Sequence, residues 1–198
     1  MSFYEFGRVV CKAVLAVCFK LKIVGLENVP ENEGFILCSN HRGYVDPVFL
    51  GLRMKPHLTF MAKSELFEIP ILSPIIKKLG AFPIHRGKGD TQALETARQV
   101  VKDGKVLAIF PEGKRSKEGE LNRFKSGAAL IASQTGADVI PACIYFEGHL
   151  RFRRKVTVRF GERIKNEELG ITGADPRQIK EASRLLHDRV EALLGQGQ

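Results

Sequence analysis

No tryptophan occurs in the sequence, and tyrosine occurs only three times. The 13 phenylalanines sit mostly in apolar runs, so few rings remain on which nucleobases could stack. Cysteine is sparse too. Cys11, Cys18, Cys38 and Cys143 form no CxxC pair and follow no metal-ligand spacing, so neither a metal site nor a disulfide framework is expected. Cys38 and Cys143 lie inside apolar, strand-like runs, where a thiol behaves as a small hydrophobe, and a reducing, cytosolic setting is the natural reading. The first apolar run is too short and too interrupted by charge to span a bilayer. A secretory leader is not expected, because Lys12 splits that run and no small-residue cleavage site follows. Long blocks of one charge sign, internal repeats and low-complexity linkers are also missing.

What is present suits one globular domain. The 198 residues are 44% hydrophobic and 27% charged, enough apolar side chain for a sizeable core. Lysine and arginine number 31 against 22 aspartates and glutamates, a formal net charge of +9. Such a surface attracts polyanions, whether nucleic acid, anionic lipid or phosphorylated small molecules. No recognisable nucleic-acid module accompanies the charge, and the one dense basic run, Arg151-Phe152-Arg153-Arg154-Lys155, reads as a solvated edge strand, so nucleic acid is not expected as a partner.

Residues 3–22 decide the relation to membranes. Phe3, Phe6, Val10, Val14, Val17 and Leu21 recur at helical spacing, opposite a stripe of Arg8, Lys12, Ala16 and Lys20. Two readings stand: a helix whose apolar face packs on the domain, or an interfacial helix lying among lipid headgroups with its cations on anionic phosphates. The wide apolar arc and purely basic polar stripe favour the second. The expected organisation is an interfacial amphipathic helix over 1–22 and one globular domain over 23–198.

Further on, short apolar runs bounded by polar residues predict strands at 34–39, 58–62, 81–84, 106–110, 139–145 and 156–160. Helices are predicted over 91–102, capped by Asp90 and stopped by Gly104, over 126–134, and from the Asp175-Pro176 start to Gly195. Strands alternating with helices imply an α/β fold, a single domain with a mixed, largely parallel sheet flanked by helices. Ligands of such sheets bind at the carboxyl ends of strands, so the loops that follow strands should carry the chemistry.

The first such loop is Asn40-His41-Arg42-Gly43-Tyr44-Val45-Asp46-Pro47. On a continuous helix His41 and Asp46 would point about 140° apart. Gly43 allows a turn, and Asp46-Pro47 is a good helix start, so strand, turn and helix would return the carboxylate to the imidazole. A carboxylate on one ring nitrogen fixes the tautomer, stabilises the imidazolium and leaves the other nitrogen as a general base. Asp46 serves equally as a helix N-cap, and both roles stay open. The second loop, Phe110-Pro111-Glu112-Gly113-Lys114-Arg115-Ser116, offers a glycine for close backbone approach, phosphate donors, and Glu112 as an acceptor for ligand hydroxyls. The third, Gly80 to Arg86, ends on an arginine suited to bidentate phosphate binding. Both also read as ordinary polar turns. Val139-Ile140-Pro141-Ala142 is apolar and structural.

Together these blocks resemble the glycerolipid acyltransferase family, which carries in order an NHxxxxD box, a G-x-x-x-x-x-R block, an FPEGxRS block and a V-P block. The resemblance runs from Asn40 to Pro141. It implies an enzyme, a 1-acylglycerol-3-phosphate O-acyltransferase, in which His41 is the general base and Asp46 its orienting partner. Arg86, Glu112, Gly113 and Arg115 would bind the acceptor, lysophosphatidic acid. No cofactor is implied: acyl-CoA or acyl carrier protein is the co-substrate, and the acceptor hydroxyl attacks the thioester directly. The implied place is the cytoplasmic face of the cell membrane, peripheral or monotopic, on anionic lipid. Three positions depart from the pattern: Gly43 stands where many relatives have serine, Lys114 replaces the commoner threonine, and Pro83 interrupts the second block. These bear on the acceptor, so glycerol 3-phosphate, another lysophospholipid or an acylated amino-acid lipid is the alternative, with a non-catalytic lipid-binding relative as a further class.

Overall fold

The computed structural model describes residues 2–85, 90–116, 119–173 and 175–196. Seven strands form one sheet: β1 (Lys20–Val24), β2 (Ile36–Ser39), β3 (Leu58–Lys63), β4 (Ala81–Ile84), β5 (Val106–Ile109), β6 (Val139–Tyr145) and β7 (Lys155–Phe160), in the order β1-β7-β6-β2-β5-β3-β4. Every neighbouring pair is parallel except β6 and β7. The sheet is mixed and largely parallel, as the alternation of elements implied.

Six α-helices accompany it among the described residues: α1 (Phe3–Cys18), α2 (Asp46–Gly51), α3 (Leu72–Lys78), α4 (Thr91–Lys102), α5 (Gly127–Thr135) and α6 (Pro176–Gly195). The predicted N-caps are in place: the Asp90 side chain accepts from the Ala93 N–H and that of Asp175 from the Arg177 N–H; α5 ends on Gly136 at φ 68°. Side chains alternate across a strand, so the central β2 serves two cores at once. Ile36 and Cys38 join α4, α5 and α6 on one face. Leu37, with Phe35 just before the strand, packs with Leu15 of α1 and Phe49 and Leu50 of α2 on the other.

Two features differ from the sequence expectation. The first helix stops at Cys18, and residues 20–24 form β1, parallel to β7 with Leu21 opposite Val156. Lys20-Leu21-Lys22-Ile23-Val24 alternates between exposed and half-buried, a period of two that the preceding helical pattern hides. The boundary at residue 22 therefore falls inside a strand of the sheet.

The second is the orientation of α1. Tyr4, Cys11 and Leu15 face the domain, and Arg8 turns inward with them, its guanidinium donating to the Met54 carbonyl at 2.5 Å. The Tyr4 hydroxyl accepts from the Leu58 N–H at 3.2 Å. The stripe of Phe3, Phe6, Val9, Val10, Val14 and Val17 is left exposed. The helix packs on the domain and still shows solvent an apolar face. None of the helices among the described residues is long and apolar enough to cross a membrane.

Candidate active site

β2 sits between β6 and β5, and its carboxyl end delivers the NHxxxxD box. Asn40 continues the β2–β6 ladder with its side chain: Nδ2 donates to the Ile144 carbonyl at 3.0 Å and Oδ1 accepts from the Ile144 N–H at 2.8 Å. Being 2% exposed, it anchors the start of the loop and points away from solvent.

His41 is held at every backbone and ring group but one. Its N–H donates to Glu112 Oε1 at 2.6 Å, and its carbonyl accepts from the Ser116 N–H at 2.8 Å. The ring stacks on Phe110, centroids 4.3 Å apart. Nδ1 lies 2.8 Å from Asp46 Oδ2. That oxygen also takes the N–H groups of Arg42, at 2.5 Å, and Gly43, at 2.7 Å. A carboxylate receiving two backbone donors is an acceptor, so Nδ1 carries the proton and the lone pair is on Nε2. Nε2 has no hydrogen-bond partner among the described residues, and the side chain keeps 14% of its surface accessible. The arrangement presents one oriented basic nitrogen to a ligand.

Asp46 opens α2 but does not cap it: the N-cap is Val45, and the carboxylate reaches back into the 41–43 loop. It is 1% exposed, and Oδ1 has no hydrogen-bond partner among the described residues. Gly43 has no left-handed backbone, so the turn does not demand glycine there. A Cβ at position 43 would sit 3.6 Å from Asp46 Oδ1, an ordinary contact.

The loop after β5 wraps around His41. Glu112 is 3% exposed, and beyond the His41 N–H its Oε2 accepts from the Asn122 N–H at 2.9 Å and from Asn122 Nδ2 at 2.6 Å. Both carboxylate oxygens are thus engaged by protein donors, whereas the sequence suggested ligand hydroxyls. Gly113 does adopt φ 69°, and a Cβ there would come within 2.8 Å of the Lys125 ammonium. Arg115 approaches from the same loop, stacked over Tyr44 at 3.7 Å from the ring centroid, with Nη2 donating to the Tyr44 hydroxyl at 3.0 Å. Lys114, Arg123 and Lys125 line a neighbouring cavity of about 590 Å³. Arg86 lies outside the described residues.

Sequence reasoning placed Phe110 in the second loop without its stacking on His41, and it missed Asn122, Tyr44 and Arg42 as parts of the site. Nothing in their spacing announces them, although Arg42 and Tyr44 are inside the box itself. Arg42 folds over Phe146, 3.9 Å from the ring centroid, and donates to the carbonyls of Phe146 and Gly148, the latter at 2.8 Å.

Comparison with known proteins agrees with this architecture. The chain is 33% identical over 140 residues to a 1-acyl-sn-glycerol-3-phosphate acyltransferase of Bacillus subtilis, covering 70% of this chain and 69% of that one. It is 32% identical over 135 residues to a chloroplastic 1-acyl-sn-glycerol-3-phosphate acyltransferase of Arabidopsis thaliana, covering 67% of this chain and 38% of that longer one. The fold matches the crystal structure of a 1-acyl-sn-glycerophosphate acyltransferase from Thermotoga maritima with a TM-score of 0.78 at 23% identity, over 98% of this chain and 79% of that one. The Acyltransferase family model matches residues 20–145. That stretch begins with β1, ends with β6 and takes in both loops that enclose His41; the chain belongs to the Acyltransferase family.

Proposed function

We propose that this chain transfers a fatty acyl group from an acyl thioester to the free hydroxyl of 1-acyl-sn-glycerol 3-phosphate, giving phosphatidic acid for phospholipid synthesis. The observation that carries the proposal is the oriented His41 ring, Nδ1 on Asp46 and Nε2 open, in a chain similar to proteins of that name. His41 Nε2 takes the proton of the acceptor hydroxyl as its oxygen forms a bond to the thioester carbonyl. The C–S bond then breaks, and the thiolate of coenzyme A or acyl carrier protein takes the proton back from the imidazolium. Asp46 stabilises that imidazolium through Oδ2. General-base help of this kind contributes about 10²–10⁴ in rate. Arg115, with Arg86, binds the acceptor phosphate, Arg115 exchanging its Tyr44 contact for the phosphate. Gly113 gives the backbone close approach to the acceptor. Glu112 supports the site from behind by fixing the His41 backbone.

The acceptor is an anion within a bilayer, and the exposed apolar face of α1 suits peripheral docking on the cytoplasmic face of the membrane. The test is thiol release from acyl-CoA and from acyl carrier protein in the presence of lysophosphatidate vesicles. Wild type should release thiol with at least one donor, and His41→Ala should lose about 10²-fold or more while keeping its thermal midpoint. Equal rates with acceptors lacking the phosphomonoester would refute the lysophosphatidate assignment. No release with any lysolipid would refute the enzymatic one.

A further inference from the structure

The connection between β6 and β7 joins the exposed end of α1. Phe152 is 71% exposed, and Arg151, Arg153, Arg154 and Lys155 surround it. The same four cations, with Tyr145 and a single carboxylate, Glu147, line an open recess of about 600 Å³. Glu147 stands 3.9 Å from Arg154 and offsets one charge of the four.

This cluster is fixed to the helix. The Arg153 N–H donates to the Cys18 carbonyl at 2.6 Å, and its guanidinium reaches the Val17 carbonyl at 3.4 Å. α1 has no basic residue of its own in its last turn, so Arg153 supplies the cation that the carboxyl end of a helix favours. Its backbone is left-handed, φ 61°, a conformation a non-glycine residue keeps only when its surroundings hold it there. Phe152 thereby immediately precedes the residue bonded to the end of α1, where Val17, itself 62% exposed, closes the apolar stripe.

The cluster is also fixed to the active site. β6 runs parallel to β2, so the connection leaves the sheet at the end where His41 stands. Arg42, next in sequence to His41, holds the root of the connection through the carbonyls of Phe146 and Gly148.

We infer that residues 151–155 are a docking element for an anionic phospholipid surface, continuous with the apolar face of α1: Phe152 inserts beside the helix while the cations meet lipid phosphates. The inference rests on the membrane reading above. Charge complementarity selects the occupant. An apolar ring ringed by arginines fits the boundary between acyl chains and anionic headgroups, where each Lys or Arg near the surface is worth about 1 kcal/mol.

The test is co-sedimentation with vesicles of phosphatidylcholine, alone and mixed with phosphatidylglycerol. Three proteins are compared: wild type, the double variant Arg151→Gln/Lys155→Gln, and Val14→Asp on the outward face of α1. Neither Arg151 nor Lys155 makes a side-chain hydrogen bond or ion pair with the described residues, and circular dichroism checks that every variant is folded. The expected result is a roughly thirtyfold weaker partition of the double variant onto the anionic vesicles, from two charges at about 1 kcal/mol each. Its partition onto phosphatidylcholine alone should match wild type, and the difference should vanish at high salt. If the double variant partitions like wild type onto anionic vesicles while Val14→Asp does not, the docking element is overturned and the membrane reading stands. If wild type binds neither vesicle, both fall.

Discussion

Replacing Gly43 by serine adds a hydroxyl beside Asp46 Oδ1, the buried oxygen of the site with no hydrogen-bond partner among the described residues. The backbone at position 43 lies outside the left-handed region, and the Cβ contacts there are 3.6 Å and 3.9 Å, so the side chain enters without displacing its neighbours. The hydroxyl is one bond further out, within donating reach of Oδ1. A hydrogen bond to a charged acceptor contributes about 1.5–3 kcal/mol, and Asp46 is too buried for solvent to screen it. Any replacement of this glycine also reduces the freedom of the unfolded chain, worth about 0.4–1 kcal/mol. Gly43→Ala gains only the second effect and is the control. Urea unfolding of wild type and both variants, at constant m-value, should place Gly43→Ser above Gly43→Ala by about 1.5–3 kcal/mol. A serine variant no more stable than the alanine one would refute the reasoning, since the hydroxyl would then have found no acceptor. The imidazole is bound to the other oxygen, so the two effects are separable.

Glu112→Gln turns an amide N–H₂ towards either the His41 N–H or the Asn122 donors, since one oxygen cannot serve both. We expect a loss of about 1.5–3 kcal/mol in unfolding free energy, and a fall in kcat of about tenfold or more at unchanged KM, because the ring is displaced rather than the ligand contacts; an unaltered kcat would refute the positioning role. Burial pushes the Cys143 thiol up to about 11 and the Cys38 thiol higher still, whereas Cys11 and Cys18 are half-buried. A disulfide reagent at neutral pH should therefore modify Cys11 and Cys18 in the native protein and all four cysteines after denaturation. The Asp90 carboxyl is held at about 2, below its ordinary 3.8, by the His85 backbone N–H, the Ala93 N–H and the His85 side chain. The stability it confers is complete above the ordinary value and is lost as pH falls towards 2, so the denaturation midpoint of Asp90→Asn should vary less with acid over that window than wild type.

Much of the scaffold is legible in the sequence because its signals are local. Asp90 and Asp175 mark helix starts through bonds made within three residues, and Pro176 through its fixed φ at the first helical position. The apolar runs of β2, β5 and β6 stand out because these strands are covered on both faces. The His41–Asp46 contact is almost as local, five residues apart and closed by one turn. What escaped depends on partners distant in sequence. Periodicity marks the apolar stripe of α1, but which side the domain covers depends on acceptors such as the Met54 carbonyl, which draws Arg8 inward. The role of Glu112 depends on His41 and Asn122, which only the fold brings to its two oxygens. Polarity alone cannot tell a carboxylate that meets ligand from one that meets backbone.

The insertion of β5 between β2 and β3 has a consequence for the order of assembly. A chain synthesised only as far as β4 already contains His41 and Asp46, but β2 and β3 have no strand to join them. The Glu112 and Ser116 contacts to His41 come more than 70 residues later, and the Arg42 contacts more than 100 later. Contacts of such separation form late in folding, because the loop entropy must be overcome before they reward it. The basic nitrogen is therefore immobilised only when β5 and β6 have docked on either side of β2. A nascent or half-folded chain carries His41 and Asp46 without the Glu112, Ser116 and Phe146 contacts that hold their loop in the folded domain.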